Sequence, residues 1–231
     1  MRKVDTFLLL GTAWIMAACS GQAATTSIQP SEHPSTIIAN PTDLPATEAQ
    51  GGSRHYQIIP SESEARFIID EVLMGQDNTV TGATSQIAGG FSANLMAPEQ
   101  ATFEPIVIDA ASFATDESRR DQAIQRFILE SGSAANSTVT FTPTSVEGLP
   151  SQVAVGQEVE VSIAGDLEIH GVSQSAAFDG TIIAVSPERI TGSFSTVVHR
   201  ADFGLTIPSV RLVASVEEQL QLELDFAAEA S

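Results

Sequence analysis

Gln219-Leu220-Gln221-Leu222-Glu223-Leu224-Asp225-Phe226 alternates polar and apolar residues without a break. In an extended chain this puts Leu220, Leu222, Leu224 and Phe226 on one side, the pattern of a strand with one face in a core and the other in water. Working outward, the same alternation recurs. Ala65, Phe67 and Ile69 alternate with Arg66, Ile68 and Asp70, and Phe91, Ala93 and Leu95 with Ser92, Asn94 and Met96. Further runs hold Val139 and Phe141, then Val159, Val161 and Ile163 with Leu167 and Ile169, then Gly192, Phe194 and Thr196. Gly82, Gly89, Gly90, Gly165, Gly171 and Gly192 fall inside or beside them, where curved sheets bend or bulge.

Residues 116–130, DESRRDQAIQRFILE, depart from the pattern. Ala123, Ile124, Phe127 and Ile128 share one helical face, Thr115 or Asp116 can cap the start, and Gly132 follows the end. About eight or nine strands with one short inserted helix predict an all-β fold, an antiparallel barrel or a closed sandwich. Periodicity alone leaves both open.

The amino terminus has its own logic. Arg2 and Lys3 precede an apolar run from Phe7 to Ala18 that is too short for a good membrane span. Met16-Ala17-Ala18-Cys19 resembles the bacterial lipobox, in which the cysteine is acylated and becomes the mature amino terminus; the lipobox more often has Leu where Met16 stands. Cys19 is the one cysteine in the chain, so no intramolecular disulfide can form, and lipidation explains it better than redox or metal chemistry. The expectation is a signal peptide over 1–18, a lipidated Cys19, and a Ser-, Thr-, Pro- and Gln-rich disordered tether over 19–52 with a typical span near 30 Å. Residues 53–231 form one domain with a sizeable core. The protein is expected to be exported and held by its lipid on the periplasmic or extracellular side of the cell envelope, with Ser20 mildly favouring an outer membrane where two exist.

The formal charge is −19, and losing Arg2, Lys3 and Asp5 with the leader makes the remainder one unit more negative. Such a surface repels nucleic acid and anionic head groups, so no nucleic-acid partner is expected. The acidic residues are scattered, as on an ordinary solvated surface. Catalysis finds little purchase: His33, His55, His170 and His199 show no metal-ligand spacing, and Gly192-Ser193-Phe194-Ser195 is no nucleophile elbow. No catalytic residue, metal or cofactor is expected. His55 and His170 read as solvated surface residues, His199 with Arg200 and Asp202 as a polar cluster for a ligand head group or a strand end, and Arg120 with Asp121 as a helix-start ion pair.

Several fragments, in order, resemble the YceI-like family of periplasmic or secreted carriers over nearly all of residues 56–226. They are Tyr56-Gln57-Ile58-Ile59-Pro60 leading to Ser63-Glu64-Ala65-Arg66-Phe67; Ala111-Ser112-Phe113-Ala114-Thr115 with Arg120-Asp121; Ser137-Thr138-Val139-Thr140-Phe141; Gly165-Asp166-Leu167-Glu168-Ile169-His170-Gly171-Val172-Ser173; and Asp202-Phe203-Gly204-Leu205. Two departures stand out. Glu71 or a neighbour replaces a second-strand histidine that many members carry, and residues 74–85 read as a longer, glycine-bearing connection.

The resemblance implies a lipocalin-like antiparallel barrel holding a polyisoprenoid chain, such as an isoprenoid quinone or a polyprenyl lipid. Interior positions are then expected at Phe67, Ile69, Phe91, Leu95, Phe141, Val161, Ile163, Phe178, Ile182, Phe194, Leu222 and Leu224, though for any single one ordinary core packing is the better explanation than ligand contact. The expected function is non-enzymatic carriage or storage of that lipid. Competing readings are an envelope enzyme using His199 or His170 on a quinone or small metabolite, and a structural or adhesive module with a filled, dry interior. Oligomeric state is left open by the sequence.

Overall fold

A computed structural model describes residues 52–209 and 211–231. The expected signal peptide, the expected lipidation site Cys19 and the expected tether up to residue 51 lie outside the described residues. The alternating stretches become strands, although the run through Leu95 and Met96 ends as a strand at Ala93: β1 (Arg54–Ile58), β2 (Glu64–Leu73), β3 (Gln76–Thr84), β4 (Ile87–Ala88), β5 (Gly90–Ala93), β6 (Thr102–Phe103) and β7 (Ile106–Asp109), then β8 (Thr138–Glu147), β9 (Glu158–Ile169), β10 (Val172–Ser186), β11 (Arg189–His199), β12 (Val213–Val216) and β13 (Gln219–Ala230). All pair antiparallel.

The sheet curls because single strands serve two neighbours. β13 pairs with β2 through Leu222↔Phe67 and, further along, with β1 through Ala228↔Ile58. The chain of β3, β4 and β5 pairs in turn with β2 (Gly82↔Phe67), β7 (Ile87↔Ile108) and β1 (Phe91↔Tyr56). From β7 the order runs β8, β9, β10, β11 and back to β13. Barrel, not sandwich, is therefore the outcome, with β1–β2 and β3–β5 each acting as one bent stave. Pro143 sits where β8 shifts register against β9, the bulge position at which a strand tolerates proline.

Two hairpins turn through residue pairs with positive φ, Met74-Gly75 (53° and 78°) and His170-Gly171 (54° and 72°), which suits the right-handed twist of the flanking strands. The first corrects the expected long connection at 74–85, since Gln76–Thr84 is itself a strand. Its Gln, Asp, Asn and Thr residues obscured the alternation of buried Val80, Gly82 and Thr84.

The helix is shorter than expected. α1 (Ser118–Ala123) passes into a π-helical turn over Ile124–Ile128. Glu117 caps it in place of Thr115 or Asp116, its carboxylate accepting from the Arg119 amide at 3.1 Å. Thr115 donates through its hydroxyl and its amide to Asp121 Oδ1, at 2.7 and 2.8 Å. The left-handed residue after the helix is Glu130 (φ 48°), not Gly132.

Two apolar clusters hold the barrel. One, around Tyr56, Ile58, Val153, Val159, Ile190 and Ala228, seals one end; the other, around Leu129, Leu167, Ile169, Phe203, Leu205 and Leu220, lies under the helix.

Candidate functional site

Between these clusters the barrel is open. A cavity of about 830 Å³ runs through it, within the range of small-molecule sites. All twelve residues expected to point inward line it. Only Val161 and Phe194 among them are fully covered; the others are half-buried although they face inward, because they border empty space. A filled, dry interior, as a purely structural module would have, is not what the residues form.

Register explains how bulky rings leave that space. Phe67 pairs with Gly82, Phe194 with Gly180, and Phe226 with Gly192, while Phe141 leans on Gly165 two residues from its partner Leu167. A Cβ built on Gly82 would lie 2.2 Å from the Phe67 ring, and one on Gly192 would lie 2.6 Å from that of Phe226. Each phenyl thus lies flat on a bare stretch of wall. Of the glycines expected to mark bends, Gly82, Gly165 and Gly192 act as seats for aromatic rings, and Gly180 joins them.

At the sealed end Tyr56 stacks on Phe91 at 5.2 Å, Phe226 meets Phe91 edge-on at 6.2 Å, and Phe194 stacks on Phe226 at 6.2 Å. Midway, Phe141 and Phe178 make an edge contact at 4.8 Å, as do Phe67 and Phe113 at 5.5 Å. Phe103, Phe113, Leu149, Val153, Ile207 and Pro208 also line the cavity. These escaped the sequence reading because most stand in short or irregular segments with no period to follow.

The helix forms the other end, with Ala123, Ile124, Phe127, Ile128 and Leu129 on the cavity. Polar groups gather here. Glu71, its side chain only 9% exposed, accepts from Asn78 Nδ2 at 2.9 Å and lies 3.8 Å from Arg120 Nη2. Arg120 also pairs with Asp116, so the expected Arg120–Asp121 pair is replaced by one that ties the helix to β2. Arg120→Ala is expected to loosen this tie: amide exchange over residues 118–128 should quicken by about fivefold to tenfold, the effect of one lost net hydrogen bond. Unchanged exchange would show that apolar packing alone holds the helix.

Among the described residues the histidines, His55, His170 and His199, stand apart from the cavity. His199 is exposed, and Arg200 beside it is spent on Glu218 and on the carbonyls of Glu217 and Leu205, each at 3.1 Å. The Asp202 carbonyl accepts from Gln174 Nε2 at 2.9 Å. Arg200 also lines the cavity, whereas His199 and Asp202 do not. His170, expected in solvent, occupies the left-handed turn with its Nε2 buried, 3.6 Å from Glu130. His55 rests between Ser92 and Glu104 at 3.5 and 3.9 Å.

Comparison with known proteins agrees with this architecture. The sequence model of the YceI-like domain matches residues 56–228. A UPF0312 protein of Pseudomonas fluorescens is 26% identical over 153 residues, 64% of this chain and 75% of its own. A polyisoprenoid binding domain from Saccharophagus degradans, implicated in plant cell wall breakdown, superimposes with a TM-score of 0.58 at 18% identity, over 76% of this chain and 98% of its own. Burkholderia cenocepacia BcnA gives 0.55 at 14% identity, over 74% and 98%. At these identities the structural likeness is one of fold.

Proposed function

Because this chain belongs to the YceI-like family, we propose that its barrel binds a polyisoprenoid lipid, an isoprenoid quinone or polyprenyl chain, and carries or stores it at the cell envelope without chemical change. The observation that carries this reading is the cavity of about 830 Å³, walled by aliphatic side chains and phenyl rings with few polar groups among them. Transfer of an apolar chain into such a space contributes about 0.8 kcal/mol per methylene-sized group, hence about 4 kcal/mol for each five-carbon unit before ordering costs. The gain is non-directional and grows with chain length. Head-group orientation falls to the few polar groups at the helix end, Glu71 and Arg120 first among them.

The amino-terminal segment complements this reading. Acylation of Cys19 would hold the barrel on the exported side of a membrane, near the source of its lipid, and a tether over residues 19–52 would raise its effective concentration there.

Organic extraction of the protein purified natively from its own host, followed by mass spectrometry, tests the proposal. An isoprenoid recovered in near-stoichiometric amount is expected. Recovery of none, or of straight-chain fatty acids alone, would overturn it.

A further inference from the structure

The helix end of the barrel is also where apolar residues face outward. Met74 is 73% exposed, Phe127 57% and Leu212 55%. The Met74 amide donates to the Leu212 carbonyl at 2.7 Å, so these two stand side by side on adjacent segments. Phe127 and Leu212 also line the cavity, making the exposed apolar rim continuous with its interior. Isolated exposed apolar residues are ordinary, but a rim that leads into an apolar cavity is not.

The arginines mark the same place. The described residues contain eight arginines and no lysine. Arg54, Arg66, Arg120, Arg189 and Arg200 each sit within ion-pair distance of a carboxylate. Among the described residues Arg119, Arg126 and Arg211 have no carboxylate partner, although the chain carries 29 acidic residues. Arg119 borders the cavity, Arg126 precedes Phe127, and Arg211 precedes Leu212. On the flanking segments Asp116 and Glu71 lie with Arg120, Glu218 with Arg200 and Glu130 with His170, and Glu117 caps the helix. The sealed end also exposes apolar side chains, Val155 and Val185, but Arg54 and Arg189 at that end are paired.

We propose that the helix end of the barrel docks on a bilayer containing anionic phospholipid, with Phe127, Met74 and Leu212 entering the interface and Arg119, Arg126 and Arg211 at the level of the phosphates. The net negative charge opposes approach, but salt screens it beyond about 8 Å, so the contact is decided by groups on the rim. Docking there would let an apolar chain pass between bilayer and cavity without crossing water. The inference deepens the lipid-carrying reading, yet its test concerns the bilayer alone, so either can fail without the other.

The test uses the full chain after Ala18 carrying Cys19→Ser, which removes the acyl anchor. Flotation with phosphatidylcholine vesicles, with and without phosphatidylglycerol, measures binding. Binding is expected with phosphatidylglycerol and should weaken as salt rises. Each of Arg119→Gln, Arg126→Gln and Arg211→Gln is expected to lower it about fivefold, and Phe127→Ser with Met74→Ser to abolish it. An environment-sensitive dye on Met74→Cys should report an apolar surrounding on docking, and one on Val185→Cys should not. Absence of binding, binding indifferent to the rim variants, or a response at Val185 instead of Met74 would each overturn the proposal.

Discussion

Gly180→Ala is expected to cost the domain about 3 kcal/mol or more, a large fraction of the total stability of a single domain and a clear drop in its melting temperature. The added Cβ would lie 2.0 Å from the Ser193 carbonyl oxygen and 2.7 Å from the Phe194 ring. Ser193 belongs to β11, paired to β10 from Asp179↔Ser195 through Ala184↔Ile190, so its carbonyl cannot retreat without breaking the ladder. Gly82→Ala makes the informative contrast. There the three nearest atoms all belong to the Phe67 ring, from 2.2 Å, and a side chain can turn where a backbone cannot. The ring would be driven from its seat into the cavity, so this variant should stay folded but retain at least tenfold less isoprenoid on native purification. Thermal melting and extraction of both variants separate the two roles; a stable Gly180→Ala protein, or a Gly82→Ala protein with full retention, would show that the phenyl seats do not shape the barrel as described.

Tyr56→Ala should cost a further-reaching 3 to 5 kcal/mol, in the range of large aromatic truncations. The residue is 0% exposed, stacks on Phe91 at 5.2 Å, and its hydroxyl donates to the Pro187 carbonyl at 2.8 Å. Losing it opens a hole in the sealed end and orphans a carbonyl at the β10–β11 turn. Tyr56→Phe keeps the stack and forfeits only the hydrogen bond, about 1 kcal/mol. Burial pushes the Tyr56 pKa above its ordinary 10.0, with Glu188 adding to the rise and Arg54 opposing it. The folded state therefore holds the neutral phenol more tightly than the unfolded chain does. Its contribution is fully present below pH 10.0 and declines as pH rises from there toward the raised folded value. Tyr56 is the one tyrosine in the chain, so ultraviolet titration reports it alone. A phenol that ionises at its ordinary pH in the folded protein would contradict this burial.

How much of this was legible beforehand follows from what each signal measures. Alternation at Gln219–Phe226 and its counterparts records which side of a strand meets water, so the inward positions from Phe67 to Leu224 could be named without coordinates, and all twelve face the cavity. The same signal is blind where polarity does not alternate. Gln76–Thr84 passed for a loop because its buried sites are Val80, a glycine and a threonine. Helix periodicity located the inserted segment at residues 116–130 but neither its π-helical turn nor its cap, which depend on hydrogen bonds within a few ångströms.

The all-β class, the inward-facing residues and the inserted helix are each encoded within a few consecutive residues of the sequence. Pairing across the barrel was decided only in three dimensions: which glycine lies under which phenyl, that Arg120 meets Glu71 instead of Asp121, and that the cavity stays open between two packed ends. Those depend on register between strands far apart in the chain, and register is set by the closure of the whole sheet, which no local run of residues contains.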